Sequence, residues 1–269
     1  MTLFEEEVVA TAAPSGPSSR VRLTVAYDGS GFRGFAEQKT VPTVGGALRA
    51  ALEKVLGHPI ELTCAGRTDA GVHAWGQVVT FTTFPRHDDA AAELDVELLR
   101  RSINKMLEPA VVIRDAAVAA PDFDARRSAL GRRYRYTVLN GPVLDPFTAK
   151  VAWHIEGPLD LRAMQMACDP LIGEHDFRSF CRQPSGHPPG PLVRRMAAAS
   201  WIDLEDGRLR FDVEANAFCQ QMVRALVGTL VDVGIGKRKA GEMAGILRAG
   251  SRSAAGQIAP PHGLCLWEV

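Results

Sequence analysis

Ile60-Glu61-Leu62-Thr63-Cys64-Ala65-Gly66-Arg67-Thr68-Asp69-Ala70-Gly71-Val72-His73-Ala74-Trp75-Gly76-Gln77-Val78-Val79-Thr80-Phe81-Thr82 reads as two strands joined by a tight loop. Residues 60–65 open as an apolar run, and residues 77–82 alternate Val, Thr and Phe as a half-buried strand does. Helical patterns flank the pair. Upstream, residues 43–56 carry apolar side chains at helical spacing, with Thr43 as the cap and Gly57 as the stop. Downstream, residues 94–107 return to the helical period. A strand at 21–27, closed by the turn Asp28-Gly29-Ser30-Gly31, comes before all of these, and a strand at 111–118 follows them. The order is β-α-β-β-α-β, the ferredoxin-like split unit.

The remaining chain repeats that order without repeating the sequence. Residues 133–139 read as a strand and 160–172 as a helix opened by Asp160. Residues 197–204 and 209–215 alternate like a hairpin that turns at Glu205-Asp206-Gly207. A long apolar helix at 218–233, a shorter one at 241–248 and a strand at 264–267 complete the unit. The expected fold is α+β: two ferredoxin-like βαββαβ units in a pseudo-twofold arrangement, with antiparallel sheets and a cleft between them. The expected divisions are a disordered tail at 1–20, a first unit at 21–120 and a second at 121–269. Residues 183–191, Gln-Pro-Ser-Gly-His-Pro-Pro-Gly-Pro, read as a mobile loop.

Composition narrows the class. The chain has 269 residues, 46% hydrophobic and 23% charged, as in a soluble globular protein. No apolar run approaches the roughly 20 residues of a membrane helix. The five cysteines, Cys64, Cys168, Cys181, Cys219 and Cys265, are odd in number and scattered, which points to reduced thiols in a cytoplasm. No spacing suggests a metal, and no cofactor is expected. Formal net charge is zero, so the totals alone give no sign of a polyanionic partner. The cations are uneven, however, with Arg126, Arg127, Arg132, Arg133 and Arg135 falling within ten positions.

Three segments carry candidate chemistry. In the first, Asp69 sits between Gly66 and Gly71, where a tight turn can hold a carboxylate rigidly near a ligand. Arg67 lies two residues earlier, so a continuing strand points both side chains to one face and pairs them. An Asp capping a turn beside a salt-bridged Arg is the plainer reading of the same residues. In the second, Arg132-Arg133-Tyr134-Arg135-Tyr136 alternates rings and cations. The rings either pack a core or stack on a base while the guanidiniums meet phosphates. In the third, Asn216-Ala217-Phe218-Cys219-Gln220-Gln221-Met222-Val223-Arg224 opens the long helix. Arg224 shares an apolar face with Val223, Leu226, Val227 and Leu230, where a charge needs a partner or must snorkel to solvent. Asp69 is the candidate partner.

All three segments resemble, in order and spacing, those of the TruA-type tRNA pseudouridine synthases. Tyr27-Asp28-Gly29-Ser30, Phe123-Asp124-Ala125-Arg126 and Gly173-Glu174-His175-Asp176-Phe177 extend the likeness over residues 21–268. The resemblance implies that Asp69 is the catalytic carboxylate and that Arg67 holds it and fills the space of an extruded nucleotide. It further implies that Tyr134 stacks on the uracil and Arg224 pairs with Asp69. The expected substrate contacts are Tyr134, Arg132, Arg133, His73 and Phe218. A tRNA substrate, most simply in the anticodon stem-loop, a homodimer and no membrane association follow from the same likeness. Phe35 stands where the family usually has Trp, Gly45 where it has Gln and Arg127 where it has Phe. Two readings compete: the same chemistry on another RNA or a free uridine nucleotide, which zero net charge suits, and a non-catalytic RNA-binding protein. A rigid carboxylate at the centre argues against the second, since a binder of polyanions gains nothing from it.

Overall fold

A computed structural model describes residues 17–84, 94–182 and 190–269. The expected mobile loop falls almost wholly on residues 183–189, and the expected tail on 1–16; both lie outside the described residues. The elements in order are β1 (Ser19–Tyr27), α1 (Val44–Leu56), β2 (Thr63–Cys64), β3 (His73–Thr83), α2 (Val96–Leu107) and β4 (Val111–Ala119). Next come β5 (Arg132–Asn140), β6 (Trp153–Ile155), α3 (Leu161–Met166), β7 (Gly173–Asp176), β8 (Val193–Asp203) and β9 (Arg208–Ala215). The chain closes with α4 (Met222–Gly234), α5 (Met243–Ala249) and β10 (Leu264–Glu268).

Local chemistry sets several boundaries. Thr43 Oγ1 accepts from Gly46 N–H, and Gly57 takes a left-handed φ of 79° to stop α1. Asp95 and Asp160 cap α2 and α3 in the same way. β1 begins at Ser19, inside the segment expected as tail, because Arg20 is fastened by Phe123 O, Thr82 Oγ1 and Thr80 Oγ1. The strand expected at 60–65 shrinks to Thr63–Cys64, and the helix expected at 160–172 ends at Met166 before a short 3-10 turn.

The ten strands form one sheet, ordered β4-β1-β3-β10-β5-β9-β8-β7, with β2 beside β3 and β6 beside β5. The pairing is antiparallel except for β3 with β10 and β5 with β6. The structure is therefore mixed α+β with five α-helices among the described residues. One face of the sheet is the core: Val21, Leu23 and Val25 from β1, Tyr134, Tyr136 and Val138 from β5, and Leu209, Phe211 and Val213 from β9. The other face carries Arg22, Arg133, Arg135 and Arg210, paired with Asp115, Asp212, Glu214 and Glu268. At its centre Trp75 stacks on Trp267 at 5.9 Å, with Arg114 over the first ring and Arg135 over the second.

One expectation about the thiols is corrected. Cys181 and Cys219, 38 residues apart, are joined by a disulfide, their Cα atoms 5.7 Å apart. Cys64, Cys168 and Cys265 are free. Among the described residues no helix is long and apolar enough to cross a membrane.

Candidate active site

A cleft of about 1120 Å³ opens where β2, β5 and the start of α4 converge. The segment between β2 and β3 forms one wall and presents Asp69. That loop is fastened from below by buried polar groups. Gln77 Nε2 donates to Gly66 O at 2.6 Å, and the Tyr27 hydroxyl shares a 2.8 Å hydrogen bond with Thr68 Oγ1. Val72 N–H closes the turn onto Asp69 O at 3.1 Å. From the side, Phe35 N–H donates to Thr68 O at 3.1 Å. Phe35 is buried, and Gly45 N–H donates to its carbonyl at 2.9 Å. A Cβ on Gly45 would lie 2.6 Å from that oxygen, so this close approach of backbones depends on glycine.

Arg224 Nη1 lies 3.3 Å from Asp69 Oδ2 across 155 residues of sequence. The two side chains are 14% and 26% exposed, so the pair is partly desolvated and the carboxylate keeps an edge open to the cleft. Arg67 lines the cleft but makes no ion pair with Asp69. Of the two cations expected beside Asp69, the structure pairs Arg224 with it and not Arg67, because residues 65–72 are a loop and alternation does not carry across it.

Tyr134 and Phe218 make the apolar wall, their rings edge to face with centroids 5.1 Å apart. Tyr134 is 7% exposed, and burial pushes its hydroxyl well above the usual tyrosine range, so the phenol stays protonated. Arg132 reaches the cleft, but its guanidinium donates to Asn216 O at 2.8 Å and Ala65 O at 2.7 Å, tying three segments together. Burial lowers its pKa. Arg133 points to the opposite face, where Glu214 and Glu268 neutralise it. His73 is buried beneath the loop, with Nδ1 against Gly29 N–H and Nε2 against the carbonyls of Lys150 and His262. The structure therefore brings together Asp69, Arg67, Tyr134, Arg132, Arg224 and Phe218, and leaves Arg133 and His73 outside.

Arg126 and Arg194 also line the cleft and, like Arg67, enter no ion pair among the described residues. The cluster of arginines hinted at the first; nothing in the sequence around Arg194 distinguished it. Among the described residues no group of three or more His, Cys, Asp or Glu is placed to hold a metal ion.

A family model described as tRNA pseudouridine synthase matches residues 23–126 and 167–269, which hold Arg67, Asp69, Phe218 and Arg224 of this cleft but not Arg132 or Tyr134. The chain belongs to the tRNA pseudouridine synthase family. Proteins named tRNA pseudouridine synthase A are similar along almost the whole length. The one from Frankia casuarinae is 42% identical, over 93% of this chain and 88% of its own. Those from Moorella thermoacetica and Syntrophotalea carbinolica are 41% and 39% identical, over 93% of this chain and 98% and 96% of theirs. The protein is therefore an enzyme, a pseudouridine synthase.

Proposed function

We propose that this synthase isomerises uridine to pseudouridine in the anticodon stem-loop of tRNA, with Asp69 as the catalytic carboxylate. The observation that carries the reading is the Asp69–Arg224 pair, held at 3.3 Å in the cleft and open on the side that faces Tyr134 and Phe218. The reaction breaks N1–C1′, turns the uracil and joins C5 to C1′; N1 gains a proton and C5 loses one. Nothing is oxidised, and no external energy is required. Asp69 serves either as nucleophile at C1′ or C6 or as the counter-charge to a cationic sugar. Arg224 keeps it aimed. Tyr134 and Phe218 offer faces to the extruded ring, and Arg67 occupies the space it leaves, which offsets part of the unstacking cost. Arg67, Arg126 and Arg194 meet phosphates at the cleft mouth.

The sheet order supports two βαββαβ units. β4-β1-β3 with β2, and β10-β5-β9-β8, follow the same sequence of roles and meet at β3 and β10, beside the cleft. A homodimer fits the open sheet face. Four of its arginines are paired with four carboxylates, so most of its charge is offset where two copies would meet, around the exposed Trp75.

The test is incubation with unmodified tRNA and, separately, with UMP, followed by mass-spectrometric mapping of pseudouridine. Product at one or a few anticodon-arm positions is expected. Turnover of UMP alone would move the assignment to a free nucleotide.

A further inference from the structure

Arg224 is held in place by a segment far from the three catalytic motifs. Residues 255–260 run along α4 before β10. Arg224 Nε donates to Ala259 O at 2.8 Å, and Ala259 N–H donates back to Arg224 O at 3.0 Å. One residue therefore grips both the side chain and the backbone of the arginine. A second fastening lies further along the helix. Gly256 N–H donates to Thr229 Oγ1 at 2.9 Å, while that hydroxyl donates to Ala225 O at 2.7 Å. Thr229 is fully buried and uses its hydroxyl in both directions. Between the two fastenings the strap lies hard on the helix, since a Cβ on Gly228 would sit 1.9 Å from Gln257 O. A third fastening is the Tyr136 hydroxyl, which donates to Pro260 O at 2.9 Å.

We infer that Thr229 is a positioning residue: it fixes the register of the strap 256–259 on α4, so that the Ala259 carbonyl aims the Arg224 guanidinium at Asp69. The inference rests on the Asp69–Arg224 reading above. Its physical basis is the length of that ion pair. Charge-assisted N–H···O bonds centre on about 2.7–2.9 Å, and this one, at 3.3 Å, has little reach to spare. With Thr229 and Ala259 both fastened, the strap cannot slide. With Ala259 alone it pivots, and the carbonyl that orients Nε moves with it. Thr229 touches no substrate and acts only through Arg224.

The experiment is a double-mutant cycle under single-turnover conditions with tRNA, using Thr229→Val, Arg224→Gln, the double variant and Thr229→Ser. Near-ultraviolet circular dichroism at the assay temperature gives the folded fraction for each. Thr229→Val keeps the branched shape and removes both hydrogen bonds, so the rate is expected to fall about tenfold with tRNA affinity unchanged within about twofold. Thr229→Ser restores most of the loss. In the Arg224→Gln background Thr229→Val should change the rate less than about twofold, because the group it positions has gone. An equal loss in both backgrounds, an unchanged rate for Thr229→Val or a loss confined to affinity would overturn the inference. If Thr229→Val does not fold, Tyr136→Phe poses the same question from the other end of the strap. It is expected to lower the rate severalfold in the wild-type background and not in Arg224→Gln, and additivity there counts equally against the inference. A normal rate for Arg224→Gln itself would instead remove the catalytic reading of the pair.

Discussion

Raising the pH should leave all three tyrosines silent until the protein unfolds. Tyr27, Tyr134 and Tyr136 are the complete set, each at most 7% exposed, and burial raises the pKa of each above its ordinary value of 10.0. A group with a raised folded pKa contributes its stability below the unfolded pKa and loses it as pH climbs toward the folded one. The unfolded chain therefore gains by ionising above about pH 10 while the folded chain does not. For one tyrosine that gain is about 1.4 kcal/mol at pH 11 and about 2.7 kcal/mol at pH 12. Three together supply about 4 and then about 8 kcal/mol, against a typical domain stability of about 5–15 kcal/mol. Unfolding is expected above about pH 11, reaching about pH 12 for a stability of about 8 kcal/mol and a higher pH for a more stable fold. Phenolate absorbance near 295 nm should rise in one step that coincides with loss of near-ultraviolet circular dichroism. A tyrosine that ionises near pH 10 in folded protein would refute the reasoning. The same argument bears on catalysis: Tyr134 stays a neutral phenol throughout any working pH. Tyr134→Phe should then retain tRNA binding, and any loss of turnover measures the hydroxyl alone, whereas Tyr134→Leu should lose both.

Asp69→Asn should fold and bind tRNA as the parent does, yet form no detectable pseudouridine; measurable product from well-folded protein would sink the mechanism. Arg126→Ala with Arg194→Ala should weaken tRNA binding and flatten its salt dependence by about one unit of slope per lost phosphate contact, while Arg133→Ala, already neutralised by Glu214 and Glu268, should leave the slope unchanged. Filter binding over a salt series decides between them. Light scattering at micromolar concentration should give twice the subunit mass, and Trp75→Glu should return a monomer; an unchanged dimer would clear the open sheet face of that role.

What the sequence disclosed, and what it hid, follows from the range of the forces involved. Caps and stops are local, so Thr43 and Gly57 bound α1 as read. Alternation in β5 is local too, and it sorted Tyr134 and Tyr136 from Arg133 and Arg135. It could not say that Arg133 meets carboxylates from β9 and β10, which only the sheet brings near. The candidate carboxylate was legible because glycines bracket it. Its cation was named twice, and the local choice, Arg67, failed because β2 ends at Cys64 and a loop intervenes. β6 and β7 are three and four residues long, too short for any period, and exist only through the partners they meet. The Cys181–Cys219 bond spans 38 residues, and scattered cysteines carry no sign of which two will meet.

The position of β10 has a consequence for how the enzyme comes into being. Of the described strands this one is synthesised last, yet it lies between β3 and β5 and, among the described residues, it is the strand that joins them in the sheet. While a ribosome is still making residues 264–268, the early half and the late half of the sheet have no common neighbour. The segment that grips Arg224 emerges only just ahead of it. A nascent chain can thus fold much of each half before the strand that joins them in the sheet arrives, and the cleft between the halves is completed only with it.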